Sequence, residues 1–118
     1  MQRGEPQGSK VLVLTEDSQI VGYARIGPAR DHDSILEGGC GEVYGLYLHP
    51  DTWGRGLGRA LMDASIEELS GQGFDQATLN VVEGNERARF FYERQGWIMD
   101  KQAAPWHGAP QLRYRKEF

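Results

Sequence analysis

Apolar and polar residues alternate along VLVLTEDSQIVGYARIG. The pattern predicts two β-strands, Val11–Thr15 and Ile20–Ile26, joined at the polar turn Glu16-Asp17-Ser18. Residues 28–41 are rich in Pro, Gly and Asp and read as a loop. Over 42–49, Tyr44, Leu46 and Leu48 fall on one face and Val43, Gly45 and Tyr47 on the other. Apolar groups on both faces predict a central strand, which Pro50 ends. The period then changes to that of a helix. Leu57, Leu61 and Ala64 form one stripe and Met62, Ile66 and Leu69 an adjacent one, with Asp63, Glu67 and Glu68 toward solvent. Gly71 and Gly73 stop this helix. Ala77, Leu79 and Val81 alternate with Thr78, Asn80 and Val82 in another strand. A second helix is predicted from the capping residue Asn85 to the glycine stop at Gly96. Strands at 97–100 and 111–118 follow, around a loop holding Ala104-Pro105-Trp106-His107-Gly108. The order ββ-β-α-β-α-ββ implies an α/β fold with a mixed sheet, in which the third and fourth strands run parallel through a helical crossover.

A length of 118 residues fits one domain, 1–118, with 1–10 as a polar lead-in. The 13 Lys and Arg against 17 Asp and Glu give a formal charge of −4, which disfavours a general nucleic-acid binder. The lone cysteine, Cys40, rules out an internal disulfide or thiolate metal cluster, so no metal is expected and a reducing, cytoplasmic setting is. No apolar run approaches a membrane span.

Three glycines in five residues, Gly54, Gly56 and Gly58, open the first helix although glycine is a poor helix former. A helix start has unpaired N–H groups and a partial positive charge, and glycine removes the Cβ atoms that would hold an anion away. Residues 55–59 therefore read as an anion cradle, with Arg55 and Arg59 adding charge. The stretch lacks the lysine of a P-loop, and its GxGxG spacing is not the dinucleotide fingerprint GxGxxG.

The segment GLYLHPDTWGRGLGRAL resembles the acyl-CoA-binding segment of the GNAT family of N-acetyltransferases, whose pattern is Gln/Arg-x-x-Gly-x-Gly/Ala. Gly56 and Gly58 match its glycines, while Trp53 stands where the family has Gln or Arg. Asn85-Glu86-Arg87-Ala88-Arg89-Phe90-Phe91-Tyr92 through Gly96-Trp97 resembles the family's Asn-x-x-Ala-x-x-Phe-Tyr-x-x-x-Gly-Phe segment. The resemblance covers roughly residues 11–118 and implies a mixed, mostly antiparallel sheet with a splayed central parallel pair and flanking helices. The chain enters at what resembles the family's second strand, so the usual first strand and two helices are expected to be absent, and a bare strand edge suggests a homodimer.

The resemblance implies acetyl-CoA as cosubstrate and a primary amine as acceptor. Backbone groups of Tyr47 and Leu48, together with Asn85, would hold the pantetheine arm. The N–H groups of Arg55, Gly56, Leu57, Gly58 and Arg59 would hold the diphosphate. Tyr92 would be the general acid toward the departing thiolate, and Glu42 the carboxylate base, with His107 and His49 as alternatives. Trp106 and His107 would border the acceptor pocket. Two further readings stay open: a non-catalytic acyl-CoA-binding or sensor module, and a structural partner domain.

Overall fold

A computed structural model describes residues 8–30 and 39–118. Residues 1–7 of the lead-in and 31–38 of the predicted 28–41 loop lie outside the described residues, and Lys10 already belongs to the first strand. The elements run β1 (Lys10–Glu16), β2 (Gln19–Pro28), β3 (Gly41–Leu48), a single 3-10 turn (Pro50–Thr52), α1 (Leu57–Gly71), β4 (Gln76–Val82), α2 (Glu86–Arg94), β5 (Ile98–Trp106) and β6 (Ala109–Glu117). They form one six-stranded sheet in the order β1-β2-β3-β4-β6-β5. Among the described residues only β3 and β4 pair in parallel, so the predicted mixed, mostly antiparallel sheet holds.

Two sequence expectations need correction. The 104–108 loop shrinks to His107 and Gly108, because β5 continues to Trp106, which pairs with Ala109. Both turn residues have positive φ, 48° and 79°, the geometry of a two-residue hairpin turn that histidine tolerates better than most side chains. On α1, Ser65 is buried where Ala64 was expected, and Ala64 is exposed. Ser65 is accommodated because its hydroxyl donates to the Leu61 carbonyl at 2.8 Å.

Ala24, Ile26, Val43, Ala77, Leu79, Val81, Leu112 and Tyr114 form a buried layer beneath Leu61, Met62 and Leu69 of α1. Ala88, Phe91 and Tyr92 of α2 pack against the same core. The two helices thus share one face of the sheet. On the other face, Val11 and Val13 are about half exposed, and Tyr23 lies against Tyr47 at 5.6 Å.

α2 is tied to the sheet through Tyr114, whose ring is fully buried. The Tyr114 hydroxyl donates to Glu93 Oε2 at 2.7 Å and accepts from Arg89 Nε at 3.1 Å. Burial is the main cause that raises its pKa, so it stays a neutral donor through physiological pH. Tyr114→Phe removes both bonds while keeping the ring. We expect it to lower stability by about 1–2 kcal/mol in urea unfolding with the m-value unchanged.

Candidate active site

The parallel pairing of β3 and β4 stops early. Gly41, Glu42 and Val43 pair with Ala77, Thr78 and Leu79, and beyond them the strands continue without a shared ladder. Leu48 and Val82 thus end on opposite sides of an open gap.

Strand phase decides which backbone groups look into this gap, since hydrogen-bonded and non-bonded pairs alternate along an antiparallel ladder. The bond from His49 N–H to Val21 C=O turns the backbone of Tyr47, paired with Tyr23, toward β2. Leu46 and Leu48 turn theirs to the gap. The bond from Glu83 N–H to Pro110 C=O likewise turns Val81 toward β6, leaving Asn80 and Val82 on the gap side. Leu46 was missed by sequence reasoning, and Tyr47 contributes an exposed ring rather than a gap-facing amide. No sequence signal fixes that phase. Leu48 turns its backbone to the gap, although its carbonyl already accepts from the Trp53 indole N–H at 2.9 Å.

The three glycines at the mouth of the gap have different reasons to be glycine. Gly54 and Gly56 adopt φ of 81° and 77°, and a Cβ on either would meet nothing within 4 Å. They give the turn its left-handed backbone and leave its outside open. Gly56 is the N-cap of α1 and has no side chain to bond the first-turn amides. The first intrahelical bond is Ala60 N–H to Gly56 C=O, so the N–H groups of Leu57, Gly58 and Arg59 have no partner among the described residues. Gly58 serves packing: a Cβ there would lie 3.3 Å from the Phe91 ring and 3.8 Å from Leu48. It lets α2 come close to the start of α1.

The arginines of the cradle are partly occupied. Arg55 is bonded to both carboxylate oxygens of Glu16, with 3.0 Å from Nη1 to Oε1. This hydrogen bonding holds the Glu16 carboxyl below its usual range. Arg59 stands 3.9 Å from Asp63. Both pairs are solvent-exposed and weak.

α2 begins as predicted, with the Asn85 side chain accepting from Ala88 N–H at 3.2 Å. It ends at left-handed Gly96, with bonds from Gly96 N–H to Glu93 C=O and from Trp97 N–H to Tyr92 C=O at 3.0 Å. That motif brings Trp97 under Tyr92, and their rings meet edge-on at 6.5 Å. Phe91 at 5.5 Å and Tyr114 at 6.4 Å complete the aromatic surround of Tyr92. Desolvation pushes the Tyr92 phenol above its ordinary pKa. Its hydroxyl has no hydrogen-bond partner among the described residues and is not sealed from solvent.

Glu42 lies where β3 and β4 are still joined, and its side chain is 6% exposed. It accepts from the Arg30 backbone N–H at 2.9 Å and pairs with the Arg30 guanidinium at 3.0 Å. It is an anchored carboxylate rather than an open one. His49 accepts from Asp51 N–H and caps the 3-10 turn. Trp106 and His107 are exposed at the tip of the β5–β6 hairpin, their rings edge-to-face at 4.5 Å. Because Val82 pairs with Gln111, this tip stands at the end of the sheet toward which the gap opens. Cys40 is buried beside β3, and burial raises its pKa, which makes it a poor nucleophile.

The fold that carries this gap is shared with known proteins. The model of the acetyltransferase (GNAT) family matches residues 2–97. The chain belongs to that family. Curated relatives include the mycothiol acetyltransferase of Beutenbergia cavernae, 43% identical over 63 residues, which cover 53% of this chain and 21% of that protein. The L-amino acid N-acyltransferase MnaT of Escherichia coli is 28% identical over 95 residues, 80% of this chain and 54% of that protein. The chain thus spans about a fifth to a half of the length of these two relatives. Among solved GNAT structures, one from Desulfovibrio desulfuricans superposes with a TM-score of 0.78 at 26% identity, covering 93% of this chain and 69% of that one. The PaiA N-acetyltransferase of Thermoplasma acidophilum, solved with coenzyme A, shares the fold with a TM-score of 0.77 at 18% identity, covering 94% and 62%.

Proposed function

We propose that this GNAT chain transfers the acetyl group of acetyl-CoA to a primary amine of a small molecule or peptide. The observation that carries the reading is the gap between β3 and β4, whose free edges run to the bare amides of Leu57, Gly58 and Arg59. In this reading Leu46 and Leu48, with Asn80 and Val82 opposite, bond the pantetheine arm as a strand would. Asn85 orients it, and the amides of 55–59 take the diphosphate. Trp106 and His107 border the acceptor.

The amine nitrogen attacks the thioester carbonyl, the C–N bond forms and the C–S bond breaks. Tyr92 gives its proton to the departing thiolate. For unperturbed groups that donation is uphill by about 2 kcal/mol, from a phenol of pKa about 10 to a thiol of about 8.5. Burial of Tyr92 widens the difference. The phenol must therefore recover its proton from the acceptor as the bond breaks. An alkylammonium of pKa about 10.4 loses its proton at a cost of about 4.6 kcal/mol at pH 7. Glu42, held in place by Arg30, relays that proton through water to solvent.

The test is thiol release from acetyl-CoA with a panel of primary amines. Amine-dependent release supports the transferase. Coenzyme binding without release under every amine supports the sensor alternative and overturns the enzyme. Among the described residues no strand lies outside β1, and this edge with the half-exposed Val11 and Val13 supports a homodimer; we place the protein in the cytoplasm. Sedimentation equilibrium at micromolar concentration is expected to give twice the chain mass, and a monomer there removes the dimer.

A further inference from the structure

Trp53 departs from the family's Gln or Arg, so that position of the glycine turn carries no cation, and Arg55 is shared with Glu16. Another guanidinium takes up the position. Arg87, in the first turn of α2, stands over the Trp53 ring with its central carbon 3.7 Å from the centroid. Stacking of this kind uses the face of the guanidinium and leaves the N–H donors at its edge free. Arg87 has no hydrogen bond or ion pair among the described residues. Two contacts fix it beside the cradle. The Trp53 indole is pinned by its bond to the Leu48 carbonyl, and one turn further along α2, Phe91 packs on Gly58.

We propose that Arg87, held on Trp53, is the side chain that binds the coenzyme's diphosphate together with the α1 amides. Trp53 is then a positioning residue that acts through Arg87. The ring replaces the family's polar side chain, and the charge arrives from the neighbouring helix. The proposal rests on the coenzyme reading given above.

The test is isothermal titration of the full chain with coenzyme A and with dephospho-coenzyme A, which lacks only the 3′-phosphate. Arg87→Ala is expected to weaken both by about thirtyfold, the worth of a charge-assisted hydrogen bond. Trp53→Ala weakens binding as well, and the double variant binds no worse than Arg87→Ala alone. Trp53→Phe, which keeps a stacking ring, retains most of the affinity. Added salt erodes the affinity of the wild type more than that of Arg87→Ala. Ligand-free thermal melts control for folding. Arg87→Ala binding within twofold of wild type overturns the proposal, as does a loss confined to coenzyme A and absent with dephospho-coenzyme A. A wild-type chain that takes no coenzyme overturns the coenzyme reading itself, whereas wild-type binding with an indifferent Arg87→Ala overturns this proposal alone.

Discussion

Gly56→Glu is expected to abolish coenzyme A binding, with at least a hundredfold loss of affinity in calorimetry. Gly56 sits at φ 77° with open space around its missing Cβ. A glutamate there projects a carboxylate into the space where the diphosphate meets the Leu57, Gly58 and Arg59 amides. Two like charges at about 4 Å in a partly desolvated site repel by several kcal/mol. The new side chain also costs about 1–2 kcal/mol of backbone strain. Gly73→Glu separates the two effects. Gly73, after the far end of α1, has φ 99° and the same open space. It should lose comparable thermal stability and keep its affinity. Equal loss of coenzyme binding in both variants would mean that strain, and not the anion cradle, is at work.

Much of this was legible in the residues. The glycine turn could be read from the spacing of Gly54, Gly56 and Gly58 because left-handed turns and close helix contacts demand glycine. The sequence could not say which glycine served which purpose. Only the structure shows Gly58 against Phe91 and the other two facing open space. The Asn85 cap and the Gly96 stop were legible for the same local reason. What lay hidden depends on pairs far apart in the chain. Leu46 rather than Tyr47 faces the gap because of ladder phase with β2. Arg30 engages Glu42 across 12 residues of sequence. Arg87 meets Trp53 only because two helices share one sheet face. Ser65 replaced Ala64 in the core because an i−4 bond to Leu61 hides its hydroxyl, which a hydropathy pattern does not register.

Tyr92→Phe is the second large effect. Loss of a general acid costs on the order of a hundredfold or more in turnover. The ring stays, with its contacts to Phe91, Trp97 and Tyr114. Affinity for acetyl-CoA should therefore change little while kcat falls. The pH dependence adds a sign. Donation needs the neutral phenol, which persists below its pKa. Burial raises that pKa above the ordinary value of about 10, so loss of the acid moves to still higher pH. The wild-type rate should show no fall due to Tyr92 between pH 7 and about 10. Wild-type turnover by Tyr92→Phe in a single-turnover assay would remove the acid assignment.

The central claim is that the parted β3 and β4 receive the coenzyme's arm. Its most direct test is a titration of the isotopically labelled chain with acetyl-CoA, read amide by amide in NMR spectra. The account predicts the largest shifts at Leu46, Leu48, Asn80 and Val82 and at 54–59, with the closed end at Gly41–Val43 and Ala77–Leu79 nearly still. Saturating acetyl-CoA that leaves those gap and turn amides unmoved, or moves only amides remote from them, would contradict it.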